Sequence, residues 1–261
     1  MLELGTSLTL EVFLAKTLEP VLVVPDCHIP YHDKRAWNLM LKVARELKPK
    51  HLITIGDLLD FYAVSSHSKN PLRATQLEFE VAIGNACLDQ LDALGASNKI
   101  ALLGNHEDRL QRYLQDKAPE LFGVIDVPSL LKYKARGWKW VPYKDDTKLG
   151  KCYFTHDVGS AGRNAVFKAL DTYQHSIITG HTHRLQYIVE GNAVGEVKLS
   201  AQFGWLGDVN KVDYMHKTTA KKNWALGFGI GYINPTSGIV YMTPIPLINY
   251  TCVMNGKLYT G

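Results

Sequence analysis

Residues 21–60 read VLVVPDCHIPYHDKRAWNLMLKVARELKPKHLITIGDLLD, and this stretch decides the fold class. It opens on four apolar residues, three of them β-branched, as a buried strand does. The run stops abruptly at Pro25-Asp26-Cys27-His28. Trp37, Met40, Leu41, Ala44 and Leu47 then recur at helical spacing, with Lys34, Lys42, Arg45 and Lys48 on other faces, until Pro49 ends the pattern. A second strand-like run, residues 51–55, stops at Gly56-Asp57-Leu58-Leu59-Asp60. Strand, crossover helix and strand in this order predict a parallel βαβ unit.

The arrangement repeats outward from there. Residues 76–94 form a second amphipathic stretch that closes at Gly95, ahead of a third run at 99–103. Further runs follow at 151–154 and 176–179. After His183 the texture changes to strands and tight turns. Residues 190–195 separate two strand-like runs, and Asn234-Pro235-Thr236-Ser237-Gly238 joins 230–233 to 239–242, so a hairpin-rich second sheet is expected. Residues 1–18 are read as an N-terminal extension, either a short helix or an oligomer contact. With no low-complexity linker and no solenoid-scale repeat, 19–261 is expected to be one domain. Residues 211–223 hold Lys211, His216, Lys217, Lys221 and Lys222 without an apolar period. They predict an exposed loop, the alternative being a lid over the phosphate side of a substrate.

Composition sets the limits of this reading. A chain of 261 residues, 46% hydrophobic and 21% charged, holds enough apolar material for one substantial core and does not read as disordered. Its 29 Lys and Arg against 25 Asp and Glu give a formal charge of +4, compatible with a phosphate-bearing partner but too mild to establish nucleic-acid binding. Cys27, Cys87, Cys152 and Cys252 lie far apart with no Cys-x-x-Cys pair, and are read as reduced, mostly buried thiols. The N-terminus carries Glu3 and Glu11 and lacks a basic region before an apolar run, and no apolar stretch approaches a membrane span. A soluble cytoplasmic protein without a membrane partner is expected.

The chemistry lies in what terminates the five runs: Asp26-Cys27-His28, Gly56-Asp57-Leu58-Leu59-Asp60, Gly104-Asn105-His106-Glu107, Thr155-His156-Asp157 and Gly180-His181-Thr182-His183. In open α/β sheets, ligand sites form beyond the carboxyl ends of strands, where such loops converge. Imidazole nitrogen together with carboxylate and amide oxygen suits Mn, Fe, Zn or Ni, whereas purely oxygen sets suit Mg or Ca. Alternate residues of an extended strand end point the same way, so Asp26 with His28, and His181 with His183, are expected to serve one cluster. Gly56, Gly104 and Gly180 are read as sharp turns beside the ions. An isolated Asp-x-His or His-x-His is common by chance and carries little weight. Five ordered clusters after five strand-like runs are a far more specific signal.

This ordered set resembles the calcineurin-like metallophosphoesterase superfamily, whose pattern is Asp-x-His, Gly-Asp-x-x-Asp, Gly-Asn-His-Glu or Asp, a later His, and Gly-His-x-His. The resemblance covers about residues 21–184 and fills every metal-ligand position. It implies a four-layer α/β/β/α sandwich, two mixed sheets flanked by helices, holding two divalent ions, with Mn the leading candidate. By position it makes Asp26, His28, Asp57 and His183 ligands of one ion and Asp57, Asn105, His156 and His181 ligands of the other, Asp57 bridging. The later His is a one-residue motif. His51, His67, His175 and His216 are alternatives to His156, but His156 alone directly follows a strand-like run in the expected interval, and His32 is read as a helix-start residue.

The resemblance further implies a phosphoester hydrolase in which a water shared by two ions attacks in line. His106 would then protonate the leaving oxygen, with Asp60 orienting its ring. Asp60 as a simple helix cap is the plainer reading. Glu107 is expected to accept a hydrogen bond from a ligand histidine, and Arg109 and Arg163 are candidates for gripping phosphate. Phe61-Tyr62 stand where phosphoprotein phosphatases carry Arg-Gly, which turns the expectation toward a nucleotide or nucleic-acid substrate, that is, a phosphodiesterase or nuclease-like activity. Tyr31, Phe61, Tyr62, Phe203 and Trp205 are candidates for stacking bases. A phosphomonoesterase acting on phosphoprotein or small metabolites is the runner-up. A non-catalytic protein-binding scaffold is the reading from another class, weakened by the presence of His106.

Overall fold

In the computed structural model, which describes residues 17–70, 76–211 and 217–261, the run Val21-Leu22-Val23-Val24 lies in strand β1 (Glu19–Val24) and is buried on both faces. The chain continues through α1 (Lys34–Leu47), β2 (His51–Thr54), α2 (Leu77–Asp92), β3 (Asn98–Leu102), α3 (Asp108–Lys117), α4 (Val127–Leu130) and β4 (Trp138–Val141). Next come β5 (Asp146–Leu149), β6 (Cys152–Thr155), α5 (Ala165–Tyr173), β7 (Ser176–Thr179), β8 (Leu185–Gly191) and β9 (Val197–Phe203). The described chain closes with α6 (Lys217–Asn223), β10 (Gly227–Ile233), β11 (Val240–Pro246), β12 (Thr251–Met254) and β13 (Lys257–Thr260).

Two mixed sheets result. One has the order β11-β10-β1-β2-β3-β4, with β1 to β4 parallel and β10 and β11 antiparallel. The other runs β5-β6-β7-β9-β8, parallel at its centre and antiparallel at both edges. The period of two in a strand sorts the core. Leu22, Val24 and Leu52 face outward to Trp37, Met40 and Ala44 of α1 and Leu88 and Leu91 of α2. Val21, Val23, Ile53 and Ile100 face inward to Phe154, Ile178, Ala201 and Phe203 of the second sheet. Ala169 and Leu170 of α5 cover Ile177 on the far side. The layers are therefore α/β/β/α, as the resemblance implied.

Helix α1 begins at Lys34, with Asp33 as its cap and His32, read as a helix-start residue, just before it. Asp33 Oδ1 accepts from the N–H groups of Arg35 (2.9 Å) and Ala36 (3.0 Å), supplying partners for two donors that a helix start leaves unpaired. It ends at Lys48, whose φ of 51° leads into Pro49.

The second half departs from expectation in two places. The hairpin β8–β9 does join the second sheet, but β10–β11 returns to the first, Val21 lying opposite Gly231 and Val23 opposite Gly229. Glycine at 229 leaves the room that the Phe203 ring occupies between the sheets. The segment read as an exposed loop contains α6, whose Thr218, Thr219, Lys221 and Lys222 are exposed. A helix that buries so little carries no apolar period to reveal it. Residues 1–16 of the extension, and His216, lie outside the described residues. All four cysteines are free and buried. Among the described residues no helix is long and apolar enough to cross a membrane.

Candidate functional site

The loops after β1, β2, β3, β6 and β7 meet at one end of the sandwich and are stitched together by backbone bonds. Asp57 O accepts from the N–H groups of Cys27 and His28 (both 2.9 Å), and His156 O accepts from Gly180 N–H (2.9 Å). Four candidate residues adopt left-handed backbone: His28 (φ 52°), Asp57 (49°), His181 (69°) and His183 (57°). For non-glycine residues this costs about 1–3 kcal/mol each and persists only where the surroundings impose it. The pairs Asp26/His28 and His181/His183 therefore do not share a direction as alternate residues of an extended strand, as the spacing suggested. They are turned inward after their strands have ended. Of the three glycines, Gly56 does turn, with φ of 102°. Gly104 and Gly180 serve differently, because a Cβ there would strike Asp57 Oδ1 and Asp26 Oδ1.

Three groups of side chains face one another, each with donor atoms within 4.8 Å: Asp26, His28, Asp57 and His183; His28, Asp60 and His106; Asp57, His156 and His181. Asp57 joins the first group to the third, and Asn105 Oδ1 completes the third at 3.0 Å from His156 Nε2 and 2.8 Å from His181 Nδ1. All seven side chains marked as ligands by the resemblance thus converge. His156 Nδ1 donates to Ile55 O (2.9 Å), which leaves Nε2 facing Asp57 Oδ2 at 3.3 Å. His28 Nε2 and His183 Nε2 stand 2.9 Å apart. The alternatives to His156 are elsewhere. His51 is held by Glu19 (2.7 Å) and Asn98, His175 bonds Tyr173 O, and His67 is exposed at the rim.

Burial governs the charges here. Burial, with His106 nearby, lowers His28 to about 4 and, opposed by Asp57, lowers His183 to about 3, so both offer neutral imidazoles. His156 goes the other way: burial opposes its charge, but Asp57 outweighs it and pushes it up to about 10. Burial also opposes ionisation of Asp57, yet His156 and His106 hold its carboxyl well below the ordinary value. Burial raises Asp26, and its Oδ1 has no hydrogen-bond partner among the described residues.

Beside this cluster, His106 Nδ1 donates to Asp60 O (3.0 Å) and lies 3.5 Å from Asp60 Oδ2. Burial opposes the charged form of His106, but Asp57 and Asp60 raise it. Asp60 caps nothing: the short turn that follows has no side-chain cap. Arg109 reaches the site, its Nη1 on Asp60 O (2.9 Å) and Oδ1 (3.2 Å) and its Nη2 on His106 Nε2 (3.0 Å). Arg163 is not brought there; it is exposed ahead of α5 and does not line the cleft.

Glu107 differs from expectation. Its carboxylate accepts from no histidine but from three backbone N–H groups, those of Asp57 (2.9 Å), Leu59 (2.9 Å) and Gly104 (2.7 Å). It ties two loops of the site together. Since each buried donor left without a partner costs about 1–3 kcal/mol, Glu107→Ala is expected to lose about 3 kcal/mol or more. In a thermal melt that reads as a midpoint lower by about 6–12 °C; an unchanged midpoint would remove Glu107 from this role.

Asp57, Asn105, His181 and His183 of the cluster, with Asp60 and His106, line a cleft of about 880 Å³. All five aromatic residues marked for base stacking, Tyr31, Phe61, Tyr62, Phe203 and Trp205, are buried, Trp205 stacking on His183 at 4.8 Å; of the five only Tyr62 also lines the cleft. Trp224, which no motif announces, packs edge-on against His183 (4.3 Å) and also lines it. Lys69 lines it as well.

Comparison with known proteins gives three findings. The family profile Calcineurin-like phosphoesterase matches residues 19–212. The Gene 54 proteins of Mycobacterium phages L5 and D29 are each 25% identical to the chain, over 232 and 226 residues, with 80% of this chain and 87% of the phage protein covered in both cases. Among solved structures, Vacuolar Protein Sorting 29 from Cryptosporidium parvum aligns with a TM-score of 0.48 at 15% identity, covering 92% of this chain and 94% of that one. A hypothetical protein from Thermus thermophilus aligns with a TM-score of 0.38 at 13% identity, covering 86% of this chain and 100% of that one.

Proposed function

Because the chain belongs to the calcineurin-like phosphoesterase family, we propose that it hydrolyses phosphodiesters of nucleotides or nucleic acid with two divalent cations. Convergence of the seven side chains, five of them buried and Asn105 and His181 half-buried, at the base of the cleft carries this reading. Asp26, His28, Asp57 and His183 would hold one cation, and Asp57, Asn105, His156 and His181 the other. The donor set fits: Asp26 Oδ1 is a buried oxygen with no hydrogen-bond partner among the described residues, and Asn105 Oδ1 faces ring nitrogens of both His156 and His181. Nitrogen and oxygen donors of this kind suit Mn, with Fe, Zn or Ni as alternatives. Bound there, the cations supply acidification of a water and neutralisation of phosphate charge.

The chain's own groups do the rest. His106, with Nδ1 donating to Asp60 O, delivers a proton from Nε2 to the leaving oxygen. In the structure that nitrogen accepts from Arg109 Nη2 and so carries no proton; an arriving phosphate draws the guanidinium onto its own oxygens, and the freed Nε2 then takes up the proton it delivers. Asp60 holds the ring on its other side and stabilises the imidazolium. Trp205 and Trp224 wall off His183 from water. No protein nucleophile is called for, and Cys27, wholly buried with its thiol on Pro25 O, offers none. A cleft of about 880 Å³ flanked by Tyr62, Trp224, Lys69 and Arg109 favours a substrate with a base over a bare monoester.

The test compares bis-p-nitrophenyl phosphate with p-nitrophenyl phosphate in Mn²⁺. The diester is expected to show a kcat/KM higher by about 10-fold or more, lost on chelation and restored by Mn²⁺. A monoester preference would make the protein a phosphomonoesterase, and metal binding without turnover a scaffold.

A further inference from the structure

The cleft does not end at the cluster. Past Asn105 and His181 it continues into a lobe of about 410 Å³, which shares those two residues, His67 and Arg109 with it. The outer wall of this lobe is Arg112 on α3, with Tyr143 and Lys144 between β4 and β5. Arg112 is oriented by Asp108 (Nε to Oδ2, 2.9 Å) and by Asn105 O (Nη2, 3.2 Å), with 54% of its side chain still exposed. Asp108, the lobe's one carboxylate among the described residues, is thereby already engaged. Lys144 pairs with no carboxylate among the described residues; its Nζ lies 5.5 Å from the centre of the Tyr143 ring. That ring stands edge-on to His156 at 6.1 Å.

The turn itself is unusual. Asp145 N–H donates to Pro142 O (3.2 Å), and Lys144, third in the turn, has φ of 76°. A turn with positive φ there asks for glycine or asparagine. Lys144 takes this conformation as Lys48 and Lys132 do elsewhere, and its side chain lines the lobe.

We propose that this lobe is a second subsite, in which Arg112 and Lys144 take the phosphate next to the scissile one and Tyr143 stacks its base. The substrate is then a single-stranded polynucleotide running from the cluster past Asn105 and His181. This rests on the phosphodiesterase reading. Three features carry it. The lobe falls within the range of about 300–1,000 Å³ that organic ligands occupy, more than a monoester needs once the main cleft is filled. An aromatic ring interleaved with cations is the arrangement that tracks single strands, because every unpaired base offers a face to stack. The lobe also opens directly off the candidate ligands Asn105 and His181, so a chain cut at the cluster passes through it.

The experiment measures binding of a fluorescein-labelled, phosphorothioate-linked thymidine dodecamer to the metal-loaded protein across a salt series. In Arg112→Ala/Lys144→Ala, Kd is expected to rise about 10-fold and the slope of log Kd against log salt to flatten by about 0.7, the value for one single-strand phosphate that no longer meets a cationic side chain. Lys144→Ala alone removes one exposed side chain, leaves Arg112 on the same phosphate, and is expected to weaken binding less than the pair does. Lys42→Ala/Lys198→Ala, which removes two cations far from the cleft, is expected to leave both quantities in place. The proposal is overturned if the first pair binds like the unaltered protein, if the control pair weakens binding as much, or if a duplex of equal length binds as tightly. Bis-p-nitrophenyl phosphate turnover by the unaltered protein reports on the hydrolase reading separately. Loss of turnover with subsite-dependent binding intact sinks only the activity; turnover with subsite-independent binding sinks only the lobe.

Discussion

Asp57→Asn is expected to lower kcat/KM by at least about 10²-fold, since even groups one step removed from a metal are worth about 10–100-fold, and to release metal from both positions at once. The variant keeps the shape and removes the charge. Asp57 Oδ1 accepts from His106 N–H (2.9 Å), its backbone O accepts from Cys27 and His28, and its N–H donates to Glu107. Asparagine keeps each of these, so the loops remain in place. What changes is Oδ2, 3.3 Å from His156 Nε2 and 3.9 Å from His106 Nε2. An amide NH₂ in its place neither balances two cations nor charges His156. Elemental analysis of purified protein should find metal lost from both sites together. Retention of both ions with more than about a tenth of the activity would show that Asp57 bridges nothing.

His106→Asn is expected to produce the second-largest loss, about 10²–10⁴-fold in kcat, with metal content unchanged. A general acid is needed in proportion to how poor the leaving group is. The loss should accordingly be smaller for nitrophenyl esters, whose leaving oxygen departs without help, than for a dinucleotide. The pH profile supplies a further check. Asp57 and Asp60 raise His106 above its ordinary value of 6.5, which favours the protonated form once Arg109 no longer donates to Nε2. Activity that needs it declines as pH rises through the raised value, and His106→Asn should abolish that alkaline limb. Equal losses on both leaving groups, with the limb intact, would reassign His106 to positioning.

Much of this site was legible because its donors sit immediately after apolar runs. A strand that must be buried on both faces is written as an uninterrupted β-branched stretch such as Val21-Leu22-Val23-Val24, and whatever ends it is delivered to the sheet's edge. Five such endings rich in Asp, Asn and His were therefore readable as one cluster, and helix α1 as a crossover from its apolar period and the stop at Pro49. Local pattern also explains Asp33 and Lys48 at the two ends of that helix.

Other features were decided by partners distant in sequence. Nothing in Gly-His-Thr-His announces left-handed backbone at His181 and His183; it is imposed where Asp26 Oδ2 accepts from His181 N–H (2.8 Å) and His183 O from Ala225 N–H (3.0 Å). Gly104 and Gly180 look like turn residues until the carboxylates of Asp57 and Asp26 are seen filling the space a Cβ would need. The hairpin β10–β11 carries a strand pattern compatible with either sheet, and only the free edge of β1 selects the first. Arg109 and Arg163 are equally plausible on paper, yet one packs on Asp60 and the other faces solvent. Trp224, Tyr143 and Lys144 belong to no motif. Apolar period and chain breaks are local, one-dimensional properties and so are written in order along the chain; which side chains share a cavity depends on contacts between residues far apart in sequence, and only the packed structure settles those.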